Sequence, residues 1–188
     1  MGTGTGKGRV IMKKDFPSVL YHGSKSEITD GVIHAHPAHR NHMKTPVTAV
    51  FATANLTHAK LYAIMRLVGE GWLSPRGQGT LYVEKIKLDF PSRAFVYELD
   101  SDGFERDVDG SYYCLSDRPI KNIIEIDIKK EIRNGNLKIY VLKDKKMPQP
   151  TADGWRELLQ NPDNFELYNT DSENLETAMY QKHITNQK

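Results

Sequence analysis

The chain has 188 residues, of which 38 % are apolar and 27 % charged; this is enough material for one folded domain, and the balance does not favour wholesale disorder. Its 26 basic and 24 acidic residues give a net charge of +2, which excludes a positive field of nucleic-acid-binding size over the whole domain. The single cysteine, Cys114, excludes an internal disulfide and a zinc site built on cysteines. No apolar run reaches the ~20 residues of a membrane helix, and the basic N-terminus lacks the apolar segment of a signal peptide. We therefore expect a cytoplasmic protein with no membrane partner.

Residues 1–14 are rich in glycine and lysine and are expected to form a flexible lead-in. Within them, residues 2–8 resemble a phosphate-binding loop in outline. They lack its full glycine-to-lysine spacing, Gly8 stands where Ser or Thr would hold magnesium, and no strand precedes them. We therefore do not interpret this run as a nucleotide site.

From residue 18 onward, the pattern predicts short strands separated by turns. The predicted strands cover residues 18–21, 47–53, 81–88, 94–99, 111–115, 124–128 and 137–141. One helix is predicted over residues 55–68, because its apolar residues recur at helical spacing. Asn55 can cap its start, and Gly69 and Gly71 end it.

After Leu142 the composition changes to a charged, proline-containing stretch, which predicts a linker. Two short helices are predicted beyond it, at 155–160 and 173–184. Thr170 and Glu173 fit a capping box at the start of the second. The expected organisation is a lead-in over 1–14, a domain over 15–145 and a C-terminal helical tail over 146–188.

Three short motifs stand at the ends of consecutive predicted elements. Residues 21–24 read Tyr-His-Gly-Ser, residues 51–53 read Phe-Ala-Thr, and Tyr62 lies on the helix that follows. In this order, with Leu-Tyr-Val-Glu at 81–84, they resemble the ADP-ribosyltransferase superfamily, particularly its His–Tyr–Glu branch of diphtheria-type toxins and poly-ADP-ribose polymerases. They are also similar to the small rifamycin ADP-ribosyltransferases. The resemblance covers residues 18–128.

This resemblance implies an α+β fold, an ADP-ribosyltransferase-like split β core of two small sheets with flanking helices. NAD would be bound as substrate in the cleft between the sheets. Its nicotinamide–ribose bond would be cleaved and ADP-ribose transferred to an acceptor, which is a protein, a nucleic acid or a small molecule. The residues implied for NAD binding are Tyr21, His22, Gly23, Ser24, Phe51, Thr53, Tyr62 and Tyr112, and those implied for catalysis are His22, Tyr62 and Asp107.

The chemistry of these residue types agrees with such roles. A histidine ring can donate a hydrogen bond to a ribose hydroxyl, and the N–H and C=O of Gly23 can pair with a carboxamide, because glycine lets a ligand approach closely. An aromatic ring on a neighbouring helix can stack on nicotinamide, a contact of ~1 kcal/mol beyond burial. Taken singly, a strand-end histidine is more often structural, and a tyrosine in a helical stripe is more often core. The interpretation therefore depends on the order of the motifs.

The third position of the family pattern is where this sequence departs from it. The family places an acid on a late strand to stabilise the oxocarbenium-like state, and Tyr112 stands there by motif order. Residues 104–107, Phe-Glu-Arg-Asp, resemble the acidic segment of the rifamycin-modifying branch, so Asp107 is the candidate acid. The other carboxylates nearby are Glu105, Asp109 and Asp117. Without an acid, the same site predicts a module that binds NAD or ADP-ribose without turnover.

Two further interpretations stay open at this stage. An RNA 2′-phosphotransferase-like enzyme of the same superfamily also consumes NAD, and arginines converging on the cleft would indicate it. A predicted loop contains four histidines at spacings that can gather imidazoles on a metal, but it has no carboxylate or thiol to complete a site. We predict no metal and interpret the loop as a basic rim; its residues are His34, His36, His39, Arg40, His42 and Lys44.

Overall fold

A computed structural model of the chain describes residues 16–38, 45–70, 74–76, 79–87, 89–143 and 157–168. The predicted lead-in over 1–14 and the second predicted tail helix over 173–184 lie outside these ranges. Within them, fifteen short strands and two α-helices form a sheet-rich α+β fold. No helix in the described ranges is long and apolar enough to cross a membrane.

The helices are α1 (Leu56–Val68) and α2 (Ile128–Arg133). The strands are β1 (Val19–Ser24), β2 (Val32–Ile33), β3 (His36–Ala38), β4 (Val47–Ala52), β5 (Gly69–Glu70), β6 (Ser74–Arg76), β7 (Thr80–Val83), β8 (Lys85–Ile86), β9 (Arg93–Asp100), β10 (Glu105–Arg106), β11 (Tyr112–Cys114), β12 (Arg118–Pro119), β13 (Asn122–Asp127), β14 (Lys138–Leu142) and β15 (Phe165–Leu167). The strands predicted at 18–21, 47–53, 94–99, 111–115 and 137–141 are confirmed by β1, β4, β9, β11 and β14.

Two of the sheets carry the motifs at 21–24 and 51–53. The first sheet has the order β1-β9-β13 and the second the order β10-β11-β4-β3, and every pairing in both is antiparallel. They are joined through Tyr21 of β1 and Thr53, directly after β4. The Tyr21 N–H donates to the Thr53 carbonyl at 2.8 Å, and the Thr53 N–H donates back to the Tyr21 carbonyl at 2.9 Å.

Helix α1 packs across one face of the first sheet. Asn55 caps its start as predicted, because the Asn55 side chain accepts a hydrogen bond from the His58 N–H at 3.1 Å. Ala59 and Ala63 of the predicted apolar stripe are fully buried. The helix ends at Val68, and Gly69 continues in extended conformation as the first residue of β5.

Two apolar cores lie on opposite faces of the first sheet, because side chains alternate along its strands. Ala94 and Val96 of β9 pack with the buried face of α1. Tyr97 and Leu99 of the same strand pack on the other side, with Val50 from the second sheet. The second core therefore fills the space between the two sheets.

Two predicted strands have different ends in the structure. The strand predicted over 81–88 is divided into β7 and β8 by a bend at Glu84, although Leu81 and Val83 are buried on one face as expected. The strand predicted over 124–128 ends at Asp127, because the Asp127 side chain accepts the Lys130 N–H and caps α2. Ile128 is therefore the first residue of a helix and still buried.

The segment predicted to be a helical tail over 146–188 contributes a strand to the domain within its described part, after a helical start at 157–158. Its described part, 157–168, passes through a 3-10 turn at Pro162–Asn164 into β15, which pairs antiparallel with β14. Phe165 is buried, and its ring meets that of Tyr82 edge-on at a centroid distance of 4.9 Å. A three-residue strand has too few residues for a visible alternation, so the pattern did not reveal it.

We expect Phe165→Ala to lower the free energy of unfolding by about 3 kcal/mol, because it removes a buried ring from the cluster with Leu142 and Tyr82. Leu167→Ala is the matched control, because Leu167 is 52 % exposed on the same strand, and it should change stability by less than about 0.5 kcal/mol. Urea unfolding of both variants measures the difference. Equal effects would mean that β15 is not docked on the sheet.

Candidate functional site

The predicted site lies where β1 and β4 separate. The bridge between Tyr21 and Thr53 is antiparallel, so a continued ladder would place Gly23 opposite Phe51. Among the described residues, β1 and β4 form no second bridge. Instead, the His22 Nδ1 donates to the Phe51 carbonyl at 2.7 Å. A side chain thus takes the acceptor that the Gly23 N–H would have used, and the two sheets open at this point.

The backbone of Gly23 faces this opening. In an antiparallel ladder, successive residues direct their N–H and C=O groups to opposite sides of the strand. Tyr21 exchanges both of its hydrogen bonds with Thr53, so Gly23, two residues further on, directs its own groups to that same side and away from β9. The edge of β1 therefore presents one donor and one acceptor next to each other, which is the complement of a carboxamide.

Glycine is required at position 23 because α1 packs directly on it. A Cβ added there would lie 2.1 Å from the Ala59 carbonyl oxygen and 2.8 Å from the Ala63 nitrogen. The close approach that the sequence suggested for a ligand is therefore made by the helix, which corrects the reason for the glycine. This close contact places the turn of α1 that includes Tyr62 against β1.

Tyr62 is not a core residue. Its side chain is 49 % exposed, whereas its neighbours Leu61 and Ala63 are completely buried. It follows Leu61 on α1 and directly precedes the Ala63 nitrogen that Gly23 approaches. The alternative of core packing for this ring is thus excluded, and the ring stands at the surface of α1.

Phe51 lies on the same side of the sheets as α1. Paired residues share a face, so Thr53 lies on the face of Tyr21, which packs with the core under α1. Phe51 is two residues from Thr53 and therefore also on that face. Its ring is half-buried, and together with Tyr62 it provides two aromatic groups on one side of the opening.

His22 is half-buried and neutral at pH 7. Burial lowers its pKa, against the opposing effect of the bond to the Phe51 carbonyl, and the charge of His36 lowers the pKa further. Because a carbonyl only accepts, Nδ1 carries the proton and Nε2 is left as an acceptor. The expected direction of the hydrogen bond to a ribose is therefore reversed, since this ring would accept from a hydroxyl rather than donate to it.

Two other predicted binding residues hold local turns. The Ser24 Oγ donates to the Ser26 carbonyl at 2.8 Å, and the Thr53 Oγ1 accepts the Asn55 N–H at 3.2 Å. These hydroxyls stabilise the chain on both sides of the opening, after β1 and before α1. Their direct effect is on the shape of the site.

The surroundings of Tyr112 and Asp107 do not match the roles that the sequence predicted for them. Tyr112 is 5 % exposed and packs between the two sheets, with its ring edge-on to Phe16 at 5.1 Å, so it presents no surface to a cofactor. Asp107 is 8 % exposed in the turn from β10 to β11, where its Oδ1 accepts the Val108 N–H at 2.7 Å. Tyr112 is a core residue because its side chain shares the inward face of β11 with Cys114.

A carboxylate–tyrosine pair lies beside Phe51 that the sequence did not single out. Tyr113 is directly opposite Phe51 in the β4–β11 pairing, and Glu105 is opposite Tyr113 in the β10–β11 pairing. The Tyr113 hydroxyl donates to the Glu105 Oε2 at 2.6 Å, and this bond is the main cause of the raised pKa of Tyr113. Only the strand register could have revealed the pair, since its members are eight residues apart.

The predicted histidine-rich loop is described only in part, and its described residues include a strand, because His36 is the first residue of β3. His34 Nδ1 contacts the Asp117 carboxylate and its Nε2 contacts the Asp30 carboxylate, each at 2.8 Å, and these bonds raise the pKa of His34. Within the described ranges, no three His, Cys, Asp or Glu side chains are grouped to hold a metal ion. His39 and His42 lie outside those ranges.

Fold and site together define a sheet-rich α+β domain with an opening between two antiparallel sheets at Gly23. The residues brought together there are His22, Gly23, Phe51 and Tyr62. Comparisons of the chain with protein-family models, with curated proteins and with solved structures find no match.

We expect Gly23→Ala to destabilise the fold by about 3 kcal/mol, at the upper end for overpacking, because the new methyl group meets backbone atoms of α1. Gly110→Ala is the control. Gly110 has a φ of 85° but nothing within 4 Å of an added Cβ, so the substitution there introduces only backbone strain and lowers stability by about 1 kcal/mol. Chemical denaturation should rank Gly23→Ala as the more damaging variant, and the reverse ranking would contradict the contact with α1.

The two histidines should have opposite effects on stability as the pH changes. Below about pH 6.5 the unfolded chain protonates His22 before the folded one does, so this group reduces stability as the pH falls. The pKa of His34 is raised in the folded chain, so this group contributes its full stabilisation below about pH 6.5. That stabilisation is lost as the pH rises through the folded-state pKa. Urea unfolding between about pH 5 and pH 8 of wild type, His22→Asn and His34→Asn would measure both.

In that experiment the stability advantage of wild type over His22→Asn should grow with pH and level off above neutrality. The advantage over His34→Asn should shrink over the same rise. Asparagine keeps an N–H near the Phe51 carbonyl, so the His22 comparison isolates the titration. A pH-independent difference for His22→Asn would contradict the lowered pKa.

Proposed function

We propose that this protein binds NAD at the Gly23 edge and transfers ADP-ribose from it to an acceptor, with release of nicotinamide. The observation that carries the proposal is that the N–H and C=O of Gly23 lie next to each other at the edge of β1, just beyond the Tyr21–Thr53 bridge. The motif order that resembles the ADP-ribosyltransferases supports it, as does the opening between two small sheets. On this proposal the fold is a split β core of that type.

The carboxamide of nicotinamide matches the edge of β1. Its C=O would accept from the Gly23 N–H and its NH₂ would donate to the Gly23 C=O, which satisfies both backbone groups at once. The flat ring would then lie between Tyr62 and Phe51, both on the α1 side of the opening. Phe51 supplies an apolar ring face for this contact without a hydroxyl group.

His22 would bind the sugar. Its Nε2 is an acceptor at neutral pH, because Nδ1 is committed to the Phe51 carbonyl. A ribose hydroxyl is a suitable donor for it, and the hydrogen bond would fix the ribose relative to the nicotinamide ring. Such fixing holds the scissile bond in a reactive geometry, which is a positional contribution to catalysis.

The reaction is a glycosyl transfer. The bond between the nicotinamide nitrogen and the ribose C1′ breaks, and its electron pair leaves with nicotinamide, which becomes neutral. Positive charge passes to the ribose C1′ and ring oxygen until a lone pair of the acceptor closes a new bond at C1′ and the acceptor loses a proton. An acceptor of any nucleophilic class satisfies this balance, because acceptor choice depends on variable loops.

We expect Tyr62→Ala to raise the Kd for NAD about tenfold, from the loss of a stacked and partly buried ring. Stability should fall by less than about 1 kcal/mol, because Tyr62 is 49 % exposed. Tyr62→Phe keeps the ring and should bind like wild type. Titration calorimetry and thermal unfolding on the same samples give both quantities.

Nicotinamide release from labelled NAD, with His22→Ala as a second variant, tests the reaction itself. Wild type should release nicotinamide and transfer the labelled ADP-ribose to an added acceptor, or to water to give free ADP-ribose. His22→Ala should react more slowly. Absence of NAD binding by the wild-type chain would overturn the proposed function. Tight binding without release would leave an NAD-binding module and remove the transferase assignment.

A further inference from the structure

Strand β13 lies at the edge of the first sheet. That sheet has the order β1-β9-β13, so β13 pairs with β9 on one side, and no strand among the described residues pairs with its other side. Most of its side chains are exposed, including that of Ile123, which is 48 % exposed. A strand edge of this kind presents a row of backbone groups with which another strand can pair.

The backbone groups that β13 presents at this edge follow from its pairing with β9. The Ile128 N–H donates to the Ser92 carbonyl at 2.9 Å, and this pair continues the register of β13 on β9. Successive residues direct their N–H and C=O groups to opposite sides of a strand, so every second residue before Ile128 bonds to β9 as well. The residues between them, Ile123, Glu125 and Asp127, therefore direct their N–H and C=O groups away from the sheet.

A β-bulge marks the start of this outward row. The Lys121 N–H donates to the Glu98 carbonyl at 2.9 Å, and Asn122 is paired with the same Glu98. Two residues of one strand thus oppose one residue of the other, which is the pattern of a bulge. The Lys121 N–H is used within the sheet, so the groups available for pairing with another strand are those of residues 123–127.

A second copy of β13 matches this edge in one register about a twofold axis. Such a pairing sets outward-directed residues of one copy opposite outward-directed residues of the other. An axis at Glu125 or at Ile126 sets acid opposite acid, because Glu125 then faces Glu125 or Asp127 of the second copy. An axis at Ile123 bonds only Ile123 with itself. An axis at Ile124 bonds Ile123 to Glu125 of the second copy on both sides of the axis, which makes a longer ladder without opposed acids.

The side chains at both ends of this ladder have opposite charges. In the register centred on Ile124, Lys121 lies opposite Asp127 of the second copy on both sides of the axis, and both residues are exposed. Asp127 uses its Oδ1 to accept the Lys130 N–H at the start of α2, so its Oδ2 can accept from the lysine. Opposite charges across a strand pair stabilise it and like charges do the reverse. The charges on β13 therefore complement a second copy of the same strand.

We propose that this protein forms a symmetric dimer through antiparallel pairing of β13 with β13 of a second copy, centred on Ile124. The two sheets then become one sheet of order β1-β9-β13-β13-β9-β1. The Gly23 edge of β1 lies on the far side of each sheet, so the dimer leaves both openings free and does not depend on the proposed function. Two strands of six residues make a small interface, so the dimer is weak and exchanges with the monomer.

Sedimentation of the full chain between about 10 μM and about 1 mM tests the association, since small interfaces dissociate in this range. We expect the average mass to rise with concentration toward that of two chains. Lys121→Glu should weaken the association about tenfold, because it sets acid opposite acid on both sides of the axis. Lys138→Glu is the matched control, because it makes the same change of charge at an exposed residue of another sheet.

Lys138→Glu should associate like wild type, and thermal unfolding checks that both variants are folded. A wild-type chain that stays monomeric at about 1 mM would overturn the dimer. Equal association of Lys121→Glu and Lys138→Glu would also overturn it, because the contact would then lie on another surface.

A cysteine on the twofold axis tests the register. Directly opposite residues that are not hydrogen-bonded to each other have Cα atoms about 4.5 Å apart, a separation that a disulfide can span. Mild oxidation should therefore convert Ile124→Cys to a covalent dimer. Wild type should stay uncrosslinked, because its single cysteine, Cys114, is buried. Ile123→Cys should crosslink much more slowly, because residue 123 lies opposite Glu125 of the second copy.

The crosslinking results decide between the registers. Crosslinking of Ile123→Cys as fast as Ile124→Cys, or faster, would overturn the register centred on Ile124. Absence of crosslinking in both variants would overturn the pairing of β13 with itself. None of these measurements involves NAD, so their failure leaves the proposed function untouched.

Discussion

The backbone bridge between Tyr21 and Thr53 is the constraint on which the arrangement of the site depends. It joins the two sheets and fixes their register, and no second bridge follows it among the described residues. One further pair would have consumed the N–H and C=O of Gly23 in a ladder. Because the His22 side chain bonds the Phe51 carbonyl instead, the ladder stops while the carbonyl of β4 stays paired. The opening is thus accompanied by an alternative hydrogen bond that satisfies this carbonyl.

The magnitudes explain why this exchange is tolerated. A buried acceptor without a partner costs ~1–3 kcal/mol, and the imidazole N–H removes that cost at the Phe51 carbonyl. The groups left over belong to Gly23, which is half-buried and at a strand edge, where water can satisfy them at small cost. The contact of Gly23 with the Ala59 carbonyl then keeps α1 in place. Packing therefore stabilises the position of the edge, while hydrogen bonding at the edge stays open to exchange with a ligand.

The sequence predicted the local elements well and the relations between strands poorly. The apolar alternation of β9 and β14 and the capped start of α1 depend on neighbouring residues, so pattern and propensity were sufficient. The motif residues His22, Gly23 and Phe51 do come together at the opening. The pair of Glu105 and Tyr113 could not be predicted, because it depends on the pairing of β10, β11 and β4, which no single strand encodes. The short strand β15 was missed for the same reason, since its formation depends on β14.

Tyr112 and Tyr113 illustrate how much register decides. They are consecutive and chemically identical, yet Tyr112 fills the core between the sheets, whereas Tyr113 bonds Glu105 on the face of Phe51. A shift of one residue in the β4–β11 pairing would exchange the faces on which the two side chains lie. Motif order alone therefore aligned Tyr112 with the family's acid and found none. Across the sheet, Glu105 of the next strand accepts from the Tyr113 hydroxyl, so strand pairing brings a carboxylate to the face of Phe51 that motif order does not reveal.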